Sequence, residues 1–235
     1  DHSDDNGGGT CHNDESQYYL PSAIALDGSV NGSAVITTKR IYSPPSEGIC
    51  LGSTCGFTSG RFDTQGKVSF QYGYYEARIK MPAGVGTWPA FWMLGANLDT
   101  VGWPESGELD IVEMRGADPT IVFGTAHGPG YNGSEGSQIG NVTYSNTPLS
   151  AGYHVYAIEW TPNSVNWYFD NVKYHTITRS SVSPREYVFN REFFIILNLA
   201  MGGTFAGELD PNLGRTSMYV DYIRYYKLGK YGTVY

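Results

Sequence analysis

Hydrophobic and polar positions along this chain alternate with a period of two. Tyr75, Ala77, Ile79 and Met81 fall on one side of an extended segment, and Tyr74, Glu76, Arg78 and Lys80 on the other. Val165, Trp167 and Phe169 oppose Asn166, Tyr168 and Asp170 in the same way. The pair Asp170-Asn171, two residues that tolerate left-handed backbone, predicts a tight hairpin into the segment from Val172 to Ile177. Further strands are predicted near Ala34 to Lys39, Ile121 to His127, Tyr153 to Trp160, Phe193 to Ala200 and Ser217 to Tyr226. No segment sustains a helical stripe, and there is no internal repeat or linker. Many short strands with turn residues between them predict an all-β fold, an antiparallel β-sandwich (β-jelly roll) of two packed sheets. Residues 1–10, polar and ending in Gly7-Gly8-Gly9, are expected to form a mobile tail, with residues 11–235 as a single domain.

One strand breaks the pattern. Glu108-Leu109-Asp110-Ile111-Val112-Glu113 places three carboxylates in a run of strand-forming aliphatics. On a regular strand Glu108 and Asp110 share a face and Glu113 falls on the other; one β-bulge between Asp110 and Glu113 brings all three together. Without a bulge the backbones of the two glutamates stand ~16 Å apart, and with one ~13 Å. Side chains reaching toward each other across a concave sheet then leave roughly 5 Å between carboxyl groups, which fits a retaining glycosidase better than an inverting one without excluding inversion. Crowded carboxylates push one another's pKa values apart, so one glutamate can stay protonated while its neighbour is ionised. Spacing does not say which glutamate does which.

Composition narrows the partners. Charged residues make up 16% and aromatics 14% of the chain, with 30 glycines, a balance suited to short strands and tight turns. The net charge of -8 disfavours nucleic acid, anionic membrane surfaces and sulfated polysaccharides. No apolar run approaches a membrane span, and Asp1-His2-Ser3-Asp4-Asp5 lacks the hydrophobic region of a signal peptide, so a mature, soluble form is expected. Cys11, Cys50 and Cys55 leave one thiol over whichever pair forms; Cys50 and Cys55 flank a short loop and could close as a disulfide, which suits a secreted, extracellular protein. Sequons at Asn31, Asn132 and Asn141 lie in turn-like sequence. There is no zinc-binding spacing, phosphate loop or nucleophile elbow.

The segment Trp103-Pro104-Glu105-Ser106-Gly107 followed by Glu108 to Glu113 resembles the signature of glycoside hydrolase family 16 in its bulged form, shared by laminarinase-like endo-β-1,3(4)-glucanases, agarases and carrageenases. Tyr72 to Pro82 with Trp88-Pro89-Ala90-Phe91-Trp92-Met93-Leu94-Gly95, His127-Gly128-Pro129-Gly130-Tyr131 and Asn198-Leu199-Ala200-Met201-Gly202-Gly203 are similar to further segments of that family, the last two to laminarinases in particular. The resemblance implies a catalytic domain with a concave substrate cleft, Glu108 as nucleophile, Glu113 as general acid/base and Asp110 as a helper hydrogen-bonded to the nucleophile. It implies a β-glucan polysaccharide or oligosaccharide as partner and no cofactor for catalysis. The protein is expected to act as a monomer. Alternatives with the same fold are a galactanase, a transglycosylase and a lectin-like module without turnover.

Pyranose rings pack their C–H faces on flat aromatic side chains, which makes Trp103, Trp88 and Trp92 candidate sugar platforms and leaves Trp160 and Trp167 to the core. His127 ends a predicted strand where a side chain reaches a cleft mouth. By resemblance it lies near Glu113, Arg61 and Asn198 contact sugar, and Asn13 and Gln17 border the cleft. The resemblance also implies a structural calcium held in part by Asp221.

Overall fold

The computed structural model describes residues 12–28, 32–43, 55–133 and 138–235. The expected tail, Cys11, Cys50 and the Asn31 sequon lie outside these residues. Numbered along the chain, one nine-stranded sheet runs β1 (Gln17–Tyr19), β4 (Phe57–Ser59), β3 (Ala34–Arg40), β16 (Arg215–Tyr226), β7 (Gly73–Lys80), β12 (His154–Trp160), β13 (Ser164–Phe169) and β14 (Val172–Thr178), with β2 (Ile24–Leu26) paired to β3. The eight-stranded sheet runs β11 (Ile139–Tyr144), β10 (Ile121–His127), β9 (Glu108–Glu113), β8 (Thr87–Gly95), β15 (Phe193–Met201), β6 (Phe70–Gln71) and β17 (Thr233–Val234), with β5 (Arg61–Asp63) also on β15. Three four-residue helices, α1 (Leu98–Val101), α2 (Arg179–Val182) and α3 (Gly203–Ala206), sit in the connections.

The sheets pack face to face through the alternation that the sequence carries. Tyr75, Ala77 and Ile79 of β7 and Val165 and Trp167 of β13 meet Phe91, Met93, Leu109 and Ile195 of the other sheet in one core. Trp160 and Trp167 are fully buried, as expected. The β13–β14 hairpin closes through Asp170 (φ 47°) and Asn171 (φ 66°), both left-handed. Two details differ from the expectation. β1 pairs with β4 in parallel, and Asn141 lies within edge strand β11, its amide donating to the Tyr174 carbonyl (3.2 Å), rather than in a turn.

The predicted bulge is present in β9. Against β10, Phe123 pairs with Glu113 and Thr125 with Asp110, so two steps on β10 span three on β9. Against β8, Phe91 pairs with Val112 and Trp92 with Asp110, one step against two. The consequence is that Ile111 and Val112, adjacent in sequence, both enter the core, and Glu113 returns to the face of Glu108 and Asp110. Packing from the opposite sheet supports this irregularity. Trp167 donates its indole N–H to the backbone carbonyl of Asp110 (2.8 Å), satisfying an acceptor in the bulge.

Gly124, on β10 opposite the bulge, makes room for that indole. A Cβ there would stand 2.3 Å from the Tyr174 hydroxyl and 2.6 Å from the Trp167 ring. Gly124→Ala is therefore expected to destabilise the fold by about 1–3 kcal/mol through overpacking and to lower activity at temperatures where the chain is still folded. Thermal unfolding and kcat/KM measured side by side check it; an unchanged midpoint would mean that Trp167 is not held this closely.

Candidate active site

Strands β8, β9, β10 and β15 present one row of side chains each on the face turned away from the core. On β9 these are Glu108, Asp110 and Glu113, and opposite them on β10 stand His127, Thr125 and Phe123 in that order. On β8 the register partners are Leu94, Trp92 and Ala90, so a methyl group lies beside Glu113 and leaves space there. Leu94, Leu98, Phe194 and Ile196 form a small separate cluster against Trp92, which closes the floor of this face at the α1 end.

Each carboxylate has its own partner. Trp103 donates its indole N–H to Glu108 Oε2 (2.6 Å) and Trp88 donates to Glu113 Oε1 (2.8 Å). His127 Nε2 lies 3.0 Å from Asp110 Oδ2. The resemblance led us to expect Asp110 beside the nucleophile; the structure adds His127, which the register sets opposite Glu108 on β10 and whose Nε2 reaches the Asp110 carboxylate. Ligand atoms of Glu108, Asp110 and His127 all fall within 4.8 Å of one another.

Burial governs how these groups hold protons. Asp110 is 3% exposed, and burial, then the charges of Glu108 and Glu113, raise its pKa well above the ordinary carboxylate value. Burial also raises Glu113, to about 7, with Glu108 adding to the rise and the Trp88 hydrogen bond and His127 opposing it. For His127 burial acts downward, but Glu108, Asp110 and Glu113 together outweigh it and push the imidazole up to about 10. At neutral pH the pocket thus carries a protonated imidazole, and Glu113 stands at the midpoint between acid and base.

The remaining predicted residues divide into those at the surface of the cleft and those behind it. Trp103, 36% exposed, is open to a ligand and stacks obliquely near His127, ring centroids 6.1 Å apart. Trp88 and Trp92 are half-buried on the same face. The Arg61 guanidinium lies 5.4 Å from the centre of the Trp92 ring, with Asp63 at 3.7 Å. Asn13 is exposed beside α3, where Trp88 and Glu15 also approach Gly203. Asn198 requires correction as a sugar contact and Gln17 as a residue on the cleft border. Gln17 is 5% exposed; its Oε1 accepts from the Met201 backbone N–H (2.8 Å) and its Nε2 donates to Glu15 (2.6 Å), so it clamps β1 to the end of β15. Asn198, 7% exposed, accepts from the Trp92 indole (2.7 Å) and donates to the Tyr19 hydroxyl (2.9 Å), so it orients Trp92 from behind. Asp221 also departs from expectation. Its carboxylate is taken by Arg78 (2.6 Å), whose guanidinium lies over Tyr153, and among the described residues it belongs to no group of three acidic, His or Cys ligands. The calcium site implied by resemblance does not fit a carboxylate already neutralised in this way.

Several residues of this face were not anticipated. Phe205 of α3 lies 5.1 Å from Trp88 and makes a T-shaped contact with Phe123 at 5.2 Å, and the Arg115 guanidinium lies over both phenyl rings. Together they form an aromatic wall on the Glu113 side of the cleft. Phe123 was legible as the residue two before Thr125 on an alternating strand; Phe205, in a four-residue helix, carries no periodic signal.

Residues 23–224 match the model of glycosyl hydrolases family 16. The chain belongs to this family. It is 37% identical over 233 residues to a beta-glucanase of Rhodothermus marinus, covering 95% of this chain and 78% of that protein. Among solved structures, the catalytic domain of an endo-1,3-beta-glucanase (laminarinase) from Thermotoga petrophila superposes with a TM-score of 0.83 at 39% identity, covering 92% of this chain and 84% of that one. The endo-beta-1,3-glucanase of Pyrococcus furiosus superposes with a TM-score of 0.80 at 42% identity, covering 91% and 81%.

The hydrogen bond from Trp88 yields a pH prediction. It stabilises the ionised form of Glu113, so Trp88→Phe should raise the Glu113 pKa further. If protonated Glu113 drives the first step, kcat/KM falls as pH rises through about 7 in the parent protein. In Trp88→Phe that fall should move to higher pH by roughly one unit. A descending limb that stays in place would mean that another group limits the reaction.

Proposed function

We infer that the chain is a retaining endo-β-glucanase that hydrolyses internal β-1,3 bonds of glucans such as laminarin, with β-1,4 bonds of mixed-linkage glucan as a second target. The observation that carries this reading is the bulge at Ile111-Val112, which turns Glu108 and Glu113 to one face of β9. In the first step the Glu108 carboxylate attacks the anomeric carbon while Glu113 gives its proton to the glycosidic oxygen; the C–O bond breaks and the leaving sugar departs as an alcohol. In the second, Glu113, now a carboxylate, takes a proton from water, whose oxygen attacks the same carbon and releases Glu108. Two inversions return the β configuration. His127 and Asp110 stay beside Glu108 throughout and hold the balance of charge as the nucleophile alternates between carboxylate and ester.

Trp103 at Glu108 and the wall of Trp88, Phe205 and Phe123 at Glu113 supply apolar surface on both sides of the bond to be cut, which suits an internal cleavage site. The disulfide-bonded state of Cys55 supports an extracellular setting, and the net charge of -8 supports a neutral polysaccharide and a monomer free of nucleic acid. Incubation with laminarin, lichenan, agarose and carrageenan, followed by sizing of the products, tests the reading. Mixed oligosaccharides from laminarin at early times are expected; release from agarose or carrageenan alone would move the activity to galactans.

A further inference from the structure

The alternation that fills the core also decorates the outer face of the nine-stranded sheet. Tyr74 and Glu76 of β7, Glu159 of β12, and Asn166 and Tyr168 of β13 point there. A register shift at Asp221 in β16 sets Tyr226 beside Tyr74, Arg224 beside Glu76 and Tyr222 beside Arg78. The outcome is a band of tyrosines contributed by β13, β7 and β16 that crosses four neighbouring strands, with β12 between β13 and β7. Tyr168 and Tyr74 have ring centroids 6.0 Å apart, Tyr74 and Tyr226 6.2 Å, and the Arg224 guanidinium lies 3.8 Å from the centre of the Tyr222 ring. Tyr226 is 46% exposed.

Acceptors and donors are interleaved with these rings. Glu76 lies among them, 3.4 Å from the Tyr226 hydroxyl and 3.8 Å from Arg224. Glu159 accepts from Asn166, which accepts in turn from Thr176. Aromatic faces for C–H patches, with carboxylate and guanidinium groups at their edges for hydroxyls, are what an uncharged sugar chain requires. Glu76 is paired with Arg224, while Glu159 keeps its charge beside the Asn166 amide, so the band disfavours an anionic partner and suits a neutral one. Nucleic acid is disfavoured by the net charge of -8, and an apolar protein surface would strand Glu76 and Glu159 away from water.

We propose that this tyrosine band is a second binding surface for β-glucan, separate from the cleft, which holds the enzyme on polymeric or insoluble substrate. The identity of the ligand rests on the activity read from the cleft. Tethering at a second surface raises the concentration of glucan around the active site without altering the chemistry there. The band therefore matters for long or particulate substrates and not for short ones.

The test uses retention on insoluble β-1,3-glucan particles by Glu108→Gln protein, which leaves the ligand uncut, alone or combined with Tyr74→Ser/Tyr168→Ser or with Tyr226→Ser. Retention is expected to weaken about tenfold in the triple variant and by a smaller factor with Tyr226→Ser, whose ring is the most exposed of the band. With Glu108 intact, the same tyrosine changes should leave kcat/KM on a short, soluble β-1,3-oligosaccharide unchanged. Full retention by Tyr226→Ser and by the triple variant overturns the proposal. Sedimentation that shows a dimer in the parent and a monomer in Tyr226→Ser would assign the face to a second copy of the chain and overturn it too. Parent enzyme that cuts no β-1,3-glucan at all would instead reject the activity reading, so the two failures are distinguishable.

Discussion

Glu108→Gln is expected to lower kcat on laminarin by on the order of 10⁴-fold or more, with oligosaccharide affinity changed by no more than about threefold. The amide keeps the shape of the carboxylate, and its carbonyl oxygen can still accept the indole N–H of Trp103, so the platform stays in place. What is lost is the negative oxygen that attacks the anomeric carbon. A second readout separates a missing nucleophile from a distorted cleft. Glu108 is the leading influence that raises the His127 pKa, so removing its charge should lower the imidazole pKa from about 10. An NMR titration of the imidazole in parent and variant would show it. Turnover equal to that of the parent would reject Glu108 as the nucleophile.

The bulge was legible because the sequence carries a conflict that only an extra residue resolves. Carboxylates at positions 108, 110 and 113 cannot share a face of a regular strand, whereas Ile111 and Val112 side by side are both at home in the core. The hairpin at Asp170-Asn171 and the burial of Trp160 and Trp167 were legible for a similar reason: local residue chemistry alone decides them. The corrected assignments have a different character. Gln17, Asn198 and Asp221 were placed by local resemblance, but their partners Met201, Tyr19 and Arg78 are remote in sequence and are brought up by sheet register. A side-chain amide reads the same whether it meets a sugar or a backbone N–H. Pairing order within a sheet, and therefore which polar groups are already satisfied, comes from the assembled core, not from any one segment.

Trp103 and Trp88 show how the two kinds of information combine. Both were expected as sugar platforms, and in the structure each grips a different carboxylate of β9 through its indole nitrogen. Aromatic rings that contact substrate and fix the reacting groups at once couple binding to chemistry. A shift of either ring on sugar binding would also move Glu108 or Glu113.

Glu113→Ala is expected to lower kcat on laminarin by about 10³-fold or more, because an alkoxide leaving group then departs without a proton. The loss should shrink markedly on an aryl β-glucoside oligomer whose phenol leaves unaided, since Glu108 still attacks. The covalent sugar should then accumulate, as no base remains to activate water. Added azide, an anionic nucleophile that needs no base, should restore turnover and yield a β-glycosyl azide, formed by two inversions. The same addition to Glu108→Ala offers azide the place of the missing nucleophile, and a single inversion gives the α-azide. The configuration of the product, read by NMR, therefore assigns the two glutamates independently of any rate. It also tests the bulge: on an unbulged strand Glu113 would face the core side, its removal would disturb folding rather than leaving-group dependence, and azide would rescue nothing.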